Sequence, residues 1–281
     1  MSTSTPPGDS AATGPKEHQL GVLDHRMLPS DEFLGLWDAI LVDEELKNRL
    51  LAQALLNFTI RPQIERARLP VHGLILLVGP PGTGKTSLAR GLAAKTASEM
   101  PHLGEFHFVE VDPHDLASAA LGKSQKAITD LVGKTIAQYA ADKPTIVLFD
   151  EVETLAVSRS RLSMDVNPID VHRATDALLA QLDYMASQSP QVLFIATSNF
   201  PEAIDDAFLS RSDYLAVISR PSQDACQQIF YDTVSALAEK FPAVQQLIDR
   251  RELKEAAHIC RDLDGRHAGR TRAPGEVAGM G

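Results

Sequence analysis

The sequence predicts an α/β fold: a parallel sheet covered by helices on both faces, followed by a small α-helical unit. Three observations carry that expectation. Short apolar runs with strand character alternate with helical stretches, and each pair is joined by a connection long enough to cross over the sheet. The segment Gly79-Pro80-Pro81-Gly82-Thr83-Gly84-Lys85-Thr86 satisfies the P-loop pattern G-x-x-x-x-G-K-[ST] at every specified position, directly after one apolar run and directly before a helix. From Pro221 onward the strand signals stop and only helical periodicity remains.

Taken in order, residues 1–20 are rich in Ser, Thr, Pro and Gly, lack an apolar signal segment, and read as a disordered tail. The first long helix is expected over Asp43 to Thr59, where Leu46, Leu50 and Ala54 recur at helical spacing and Leu51, Leu55 and Phe58 widen the same face. A connector with two prolines spans Ile60 to Pro70. Five strands are expected at Leu74–Val78, Phe106–Val111, Thr145–Phe149, Val192–Thr197 and Tyr214–Ile218. Between them lie a helix from Ser87 to Ala97, one carrying Ile128, Leu131, Val132 and Ile136 that Pro144 ends, a polar loop from Ser158 to Pro168, and a helix from Ile169 to Met185. Ser222 is placed to cap a helix whose inner face uses Cys226, Ile229, Phe230, Val234 and Leu237, and a further helix is expected from Ala243 to Cys260.

Composition excludes several classes. The 281 residues carry 27 Lys and Arg against 37 Asp and Glu, a formal net charge of −10, so no global basic field exists to hold nucleic acid through its phosphates. Two cysteines are too few for a disulfide framework, and the nine histidines show no metal-ligand spacing, which points to a reducing, cytoplasmic setting. No apolar run reaches membrane-spanning length.

The chemistry gathers at strand ends. In a parallel α/β sheet ligands sit at the carboxyl ends of the strands, and Gly79 to Thr86, Asp150-Glu151 and Asn199 all follow strand ends. Backbone N–H groups of the P-loop, residues Gly79 to Ser87, are suited to cradling a triphosphate at a helix N-terminus. Lys85 would reach the outer phosphates, and the Thr86 hydroxyl would sit on magnesium. Asp150 is the second magnesium candidate, Glu151 the candidate base for the attacking water, and Asn199 a group able to position that water. Arg211 reads either as a surface ion-pair partner or as a group reaching the γ-phosphate of a neighbouring subunit.

Together Gly79 to Thr86, Ile146 to Glu151, Ala196 to Asn199 and the Ile204 to Asp213 block resemble the Walker A, Walker B, sensor-1 and arginine-finger elements of an AAA+ ATPase. Within that superfamily, Leu36-Trp37-Asp38 with Glu45-Leu46-Lys47, Asp150-Glu151-Val152-Glu153, Thr197-Ser198-Asn199 and Ile204-Asp205 are most similar to the pachytene-checkpoint type, which remodels HORMA-domain proteins. The resemblance divides the chain into an ATPase domain at 21–220, an α-helical lid at 221–264 and an unstructured tail at 265–281.

The resemblance implies ATP and Mg2+ as cofactors, a homo-hexamer, and a HORMA-domain protein substrate gripped in a central pore. It assigns Asp115 to Lys126 to the first pore loop, with Leu121, Gly122 and Lys123 at its tip, and makes Arg266 of Gly265-Arg266 the sensor-2 residue. It also places Ile40 to Val42 near the adenine. Two departures are visible: the pore tip has no aromatic residue, and the tail is too short for an N-terminal adaptor domain, as in compact bacterial relatives of antiphage signalling. The composition of His267 to Gly281 further predicts a truncated lid. Two other readings stay open, a nucleic-acid-associated AAA+ ATPase of clamp-loader kind and a nucleotide-dependent scaffold with little turnover.

Overall fold

A computed structural model describes residues 20–118, 123–157, 168–241 and 244. Six strands form one sheet: β1 (Val22–Leu28), β2 (Leu74–Val78), β3 (Phe106–Val111), β4 (Thr145–Phe149), β5 (Val192–Ser198) and β6 (Tyr214–Val217), in the order β1-β3-β4-β5-β2-β6. The five expected strands pair in parallel, and β1 joins β3 antiparallel at the edge. The expected parallel sheet is thus present, with one antiparallel edge strand added to it. Strand β1 carries no alternation that sets it apart: Asp24, His25 and Arg26 interrupt it, and its burial pattern is mostly intermediate. Its place comes from β3, whose free edge it covers.

The central strands are apolar on both faces because both faces are buried. Successive residues of β2 alternate between two cores: Leu74, Leu76 and Val78 face one, Ile75 and Leu77 the other. The second core is closed by α1 (Asp31–Ala39), α2 (Glu44–Thr59) and α3 (Lys85–Glu99), through Phe33, Trp37, Leu50, Ala54, Phe58, Leu88 and Leu92. The first is closed by α4 (Pro113–Ser118), α5 (Ser124–Asp130), a π-helical turn at Leu131–Ile136, α6 (Ala137–Asp142), α7 (Pro168–Gln188) and α8 (Asp206–Leu209). The α2 stripe behaves as the spacing predicts, and Asp43 caps it by accepting from the N–H groups of Glu45 and Leu46 at 2.7 and 3.2 Å.

Helix α9 (Gln223–Lys240) starts at Ser222, whose hydroxyl accepts from Ala225 N–H at 3.1 Å. Cys226, Phe230 and Ala238 form its buried stripe, whereas Leu237 is 45% exposed. Leu237 thus falls one residue off the inner face, and Ala238 continues the i, i+4 repeat instead. The expected tail at 1–19, the loop at 158–167, the second lid helix and the C-terminal tail lie outside the described residues.

Chain order makes the site. From β2 the chain crosses to β3, returns through β4 and β5 to lie beside β2, and passes to β6 on β2's other side. This reversal opens a crevice at the carboxyl ends of β2, β4 and β5. Two ionic contacts hold the parts that border it. Arg90 of α3 donates from Nε and Nη2 to both carboxylate oxygens of Glu110 on β3, at 2.9 and 2.6 Å, and Glu110 is 1% exposed. This pairing raises the Arg90 pKa despite partial burial. Asp213, just before β6, accepts from the backbone N–H groups of His72, Gly73 and Leu74 at 2.5 to 3.0 Å and so anchors the entry of β2.

Removing Arg90 leaves Glu110 charged and buried without its guanidinium. Arg90→Ala is expected to lower unfolding stability by about 3 kcal/mol in urea titration, with Arg90→Lys recovering only part because an ammonium cannot make the bidentate pair.

Candidate active site

Every element of the crevice begins with backbone geometry. Gly84 precedes α3 at φ 84°, a left-handed conformation that strains any side chain, and a Cβ there would displace the end of the Ile40 side chain, 2.3 Å away. The turn of the P-loop buries Lys85, which is 5% exposed. Its Nζ donates to the carbonyls of Gly79 and Pro80 at 2.8 and 2.9 Å and to Asn199 Oδ1 at 2.8 Å. Thr83 Oγ1 donates to Pro80 O at 3.0 Å, while Pro81 stands exposed at the crest of the loop.

At the end of β4 two consecutive carboxylates reach the same cavity, although neighbouring residues of an extended strand point to opposite faces. Glu151 resolves the conflict by taking φ 56° and ψ 52°, a left-handed conformation rare outside glycine, at a cost of about 1–3 kcal/mol. Thr197 of β5 holds the turn: its Oγ1 accepts from Glu151 N–H at 3.0 Å and donates to Asp150 Oδ1 at 2.5 Å. Thr86 Oγ1 donates to that same Asp150 oxygen at 2.8 Å. Asn199 Nδ2 donates to Glu151 Oε1 at 2.8 Å, so Lys85, Asn199 and Glu151 form one hydrogen-bonded chain from the start of α3 past the end of β5 to the end of β4.

These groups line a cavity of about 370 Å³, within the range of small-molecule sites. Gly82 to Ser87 form one wall, and Asp150, Glu151, Thr197 and Asn199 the floor. Leu36, Ala39, Ile40 and Leu41 from the end of α1, with Pro221 and Ile229 from the start of the helical unit, supply an apolar end. Ile40 and Leu41 line this apolar end, and Leu41 and Val42 line the adjacent depression. The donor set suits a triphosphate with a hard divalent cation: P-loop N–H groups and a buried ammonium for the phosphates, and a threonine hydroxyl beside a carboxylate oxygen for the ion.

The conserved-fold family follows from the match of the family model described as "ATPase family associated with various cellular activities (AAA)" to residues 75–220. The chain belongs to the AAA ATPase family. This AAA ATPase is 52% identical to CD-NTase-associated protein 6 of Pseudomonas aeruginosa over 92% of its own length and 83% of that protein. It is 33% identical to the pachytene checkpoint protein 2 homolog of Danio rerio over 85% of its length, and spans 57% of that longer chain. Among solved structures, C. elegans PCH-2 superposes with a TM-score of 0.70 at 28% identity, covering 89% of this chain and 68% of that one. The E. coli MS115-1 HORMA:CdnC:Trip13 complex matches with a TM-score of 0.67 over 82% of this chain and 80% of that one; at 19% identity that likeness concerns the fold.

Three residues of the AAA ATPase site escape a motif reading. Thr197 bridges the Asp150 carboxylate and the Glu151 backbone N–H. Glu153 Oε1 accepts from Asn199 N–H at 3.0 Å, while its Oε2 is buried without a hydrogen bond among the described residues. His114, in the first turn of α4, brings Nε2 to 3.8 Å from Glu151 Oε2. Only contacts between separate strand ends single these three out, although Glu153 and Thr197 stand next to motif positions. Arg211 does not line the cavity; it lies beyond α8 and forms a two-bond pair with Asp183 of α7. Lys123 is exposed just before α5, whereas Leu121, Gly122 and Arg266 lie outside the described residues.

Thr197→Val removes the hydroxyl that ties Asp150 to the Glu151 backbone and keeps the shape. ATP turnover is expected to fall about 10- to 100-fold with nucleotide affinity changed far less, as read by steady-state phosphate release and fluorescent-nucleotide titration.

Proposed function

We propose that this AAA ATPase hydrolyses ATP with Mg2+ in a homo-hexameric ring and uses the energy to remodel a HORMA-domain protein in antiphage signalling in the cytoplasm. The observation that carries the hydrolytic part is the linked pair of contacts at the strand ends, Thr86–Asp150–Thr197 and Lys85–Asn199–Glu151. The first gathers oxygen ligands. The second ties the phosphate-binding lysine to the carboxylate placed to act as base.

In this reading Lys85 exchanges its contacts with Gly79 O and Pro80 O for phosphate oxygens, and the P-loop N–H groups neutralise the same anion. Mg2+, held by Thr86 and Asp150, supplies charge compensation between the phosphates. Asn199 keeps Glu151 Oε1 oriented and leaves Oε2, which His114 Nε2 approaches to 3.8 Å, to accept a proton from water. Arg211 serves the γ-phosphate of an adjacent subunit, and Arg266 acts as sensor 2. Such an arginine in trans is worth roughly 10³ to 10⁵ in turnover.

Support for the partner comes from kinship: a relative named for association with a CD-NTase, 52% identical over nearly the whole chain, and a fold neighbour solved with HORMA and CdnC proteins. The net charge of −10 disfavours the nucleic-acid alternative. Leu121, Gly122 and Lys123 are the residues proposed to grip substrate.

Glu151→Gln is expected to bind ATP and lower phosphate release by about 10² or more, with rings accumulating in size-exclusion runs with ATP; undiminished release removes Glu151 from its role. Leu121→Asp is expected to abolish disassembly of a HORMA complex and its stimulation of ATP turnover, both readable by native gel and phosphate assay. A variant that still remodels overturns the pore-loop assignment.

A further inference from the structure

The second concentration of charge in the molecule lies away from the nucleotide cavity, at the end of the sheet where β2 begins. Asp183, near the C-terminal end of α7, is its centre. Arg211 reaches it with the side of its guanidinium: Nε donates to Oδ1 at 3.0 Å and Nη2 to Oδ2 at 2.6 Å. The remaining nitrogen, Nη1, donates to Ala207 O at 2.7 Å, inside the short helix that precedes it. A planar group held on both edges has little freedom left, so the direction of Arg211 is set by α7 and α8 together.

Two more basic groups share the same carboxylate. His72 Nε2 lies 3.1 Å and Arg66 Nη2 3.7 Å from Asp183 Oδ1, and Arg66 also meets His72 Nε2 at 2.9 Å and Asp183 O at 3.2 Å. Asp183 therefore has a second guanidinium, that of Arg66, beside the Arg211 it already pairs with. The Arg211 contact holds its carboxyl below the usual carboxylate range, and burial together with Arg66 lowers the His72 pKa, which keeps that ring neutral. The consequence is mechanical. If Arg211 turns toward an incoming anion, Asp183 keeps the Arg66 guanidinium as a neighbour, so the exchange does not leave the carboxylate stranded. Arg66 belongs to the connector and His72 to the entry of β2, which Asp213, two residues after Arg211, anchors through its three backbone contacts.

We propose that Asp183 is the positioning residue for Arg211: it holds the guanidinium for the neighbouring subunit's triphosphate, with Arg66 ready to take its place on the carboxylate when Arg211 engages. The proposal rests on the reading of Arg211 as the group that acts in trans. Asp183 itself touches no nucleotide. Its removal therefore leaves ATP binding within a subunit intact and acts on turnover.

The experiment compares Asp183→Asn, Asp183→Glu, Arg211→Ala and the double variant Asp183→Asn with Arg211→Ala in the full chain. It reads kcat and KM for ATP, fluorescent-nucleotide affinity, thermal unfolding and ring content. Asp183→Asn is expected to lower kcat about 10- to 100-fold, the scale of a reacting group misplaced by an ångström, with affinity within about twofold of the parent. Asp183→Glu keeps a carboxylate and is expected to recover most of the rate. The double variant is expected to be no slower than Arg211→Ala alone, because a positioning residue has nothing to act on once its target is gone.

Normal turnover in Arg211→Ala overturns the trans reading itself. A slow Arg211→Ala beside a normal Asp183→Asn, or a double variant slower by the product of both factors, overturns the positioning role alone. Should Asp183→Asn unfold or fail to assemble, the Glu variant decides: a stable ring that recovers most of kcat counts for the proposal, and a stable ring whose kcat stays as low as that of Arg211→Ala counts against it.

Discussion

Asp150 accepts two hydrogen bonds on a single oxygen, from Thr86 at the start of α3 and from Thr197 near the end of β5, and the rest of the site depends on that convergence. Each of the three residues sits on a different element, and none can reach the others unless β2, β5 and β4 are adjacent and in register. The sheet supplies this: Val78 pairs with Ser198, and Phe149 with Ala196. Both faces of those strands are buried, so a slip in register would move apolar side chains into the wrong core. The register that satisfies packing is the one that assembles the oxygen ligands.

Strain enters where packing and chemistry make opposite demands. Asp150 and Glu151 follow a strand whose geometry would separate them, and the left-handed conformation of Glu151 brings them together. Thr197 receives the displaced N–H, and Asn199 holds the carboxylate, so the unfavourable backbone is secured from a neighbouring strand. Glu153 extends the arrangement by fixing the Asn199 backbone, and His114 brings the start of α4 to Glu151. The segment that leads toward the pore-loop residues thus begins in contact with the proposed base.

The cavity and the Asp183 cluster divide the functional surface in two. Around the cavity, carboxylates outnumber cations and the phosphates' counter-charges come from the P-loop and Lys85. Around Asp183 the guanidiniums of Arg66 and Arg211 share one carboxylate, with Asp213 close by at the entry of β2. In the proposed ring, Arg211 would bring its charge to a site completed by the neighbouring subunit.

Some of this was legible before any coordinates. The P-loop, the Asp150-Glu151 pair and Asn199 are local signals, each a residue type at a strand end, and the five buried strands announce themselves by apolar runs too short for helices. Strand β1 was not legible, because an edge strand half open to solvent and rich in charge has no reason to alternate strictly. Leu237 misled for a related cause: several apolar residues compete for one helix face, and only the tertiary fold selects Ala238 over Leu237. The amino-acid sequence by itself determined the fold class and the chemistry of the nucleotide site, since both reside in short stretches whose geometry is local. Tertiary structure alone decided that Thr197 joins the Asp150 carboxylate to the Glu151 backbone, that Glu153 and His114 border them, and that Arg211 lies in the grip of Asp183, because those contacts link residues far apart in the chain and depend on strand order and register.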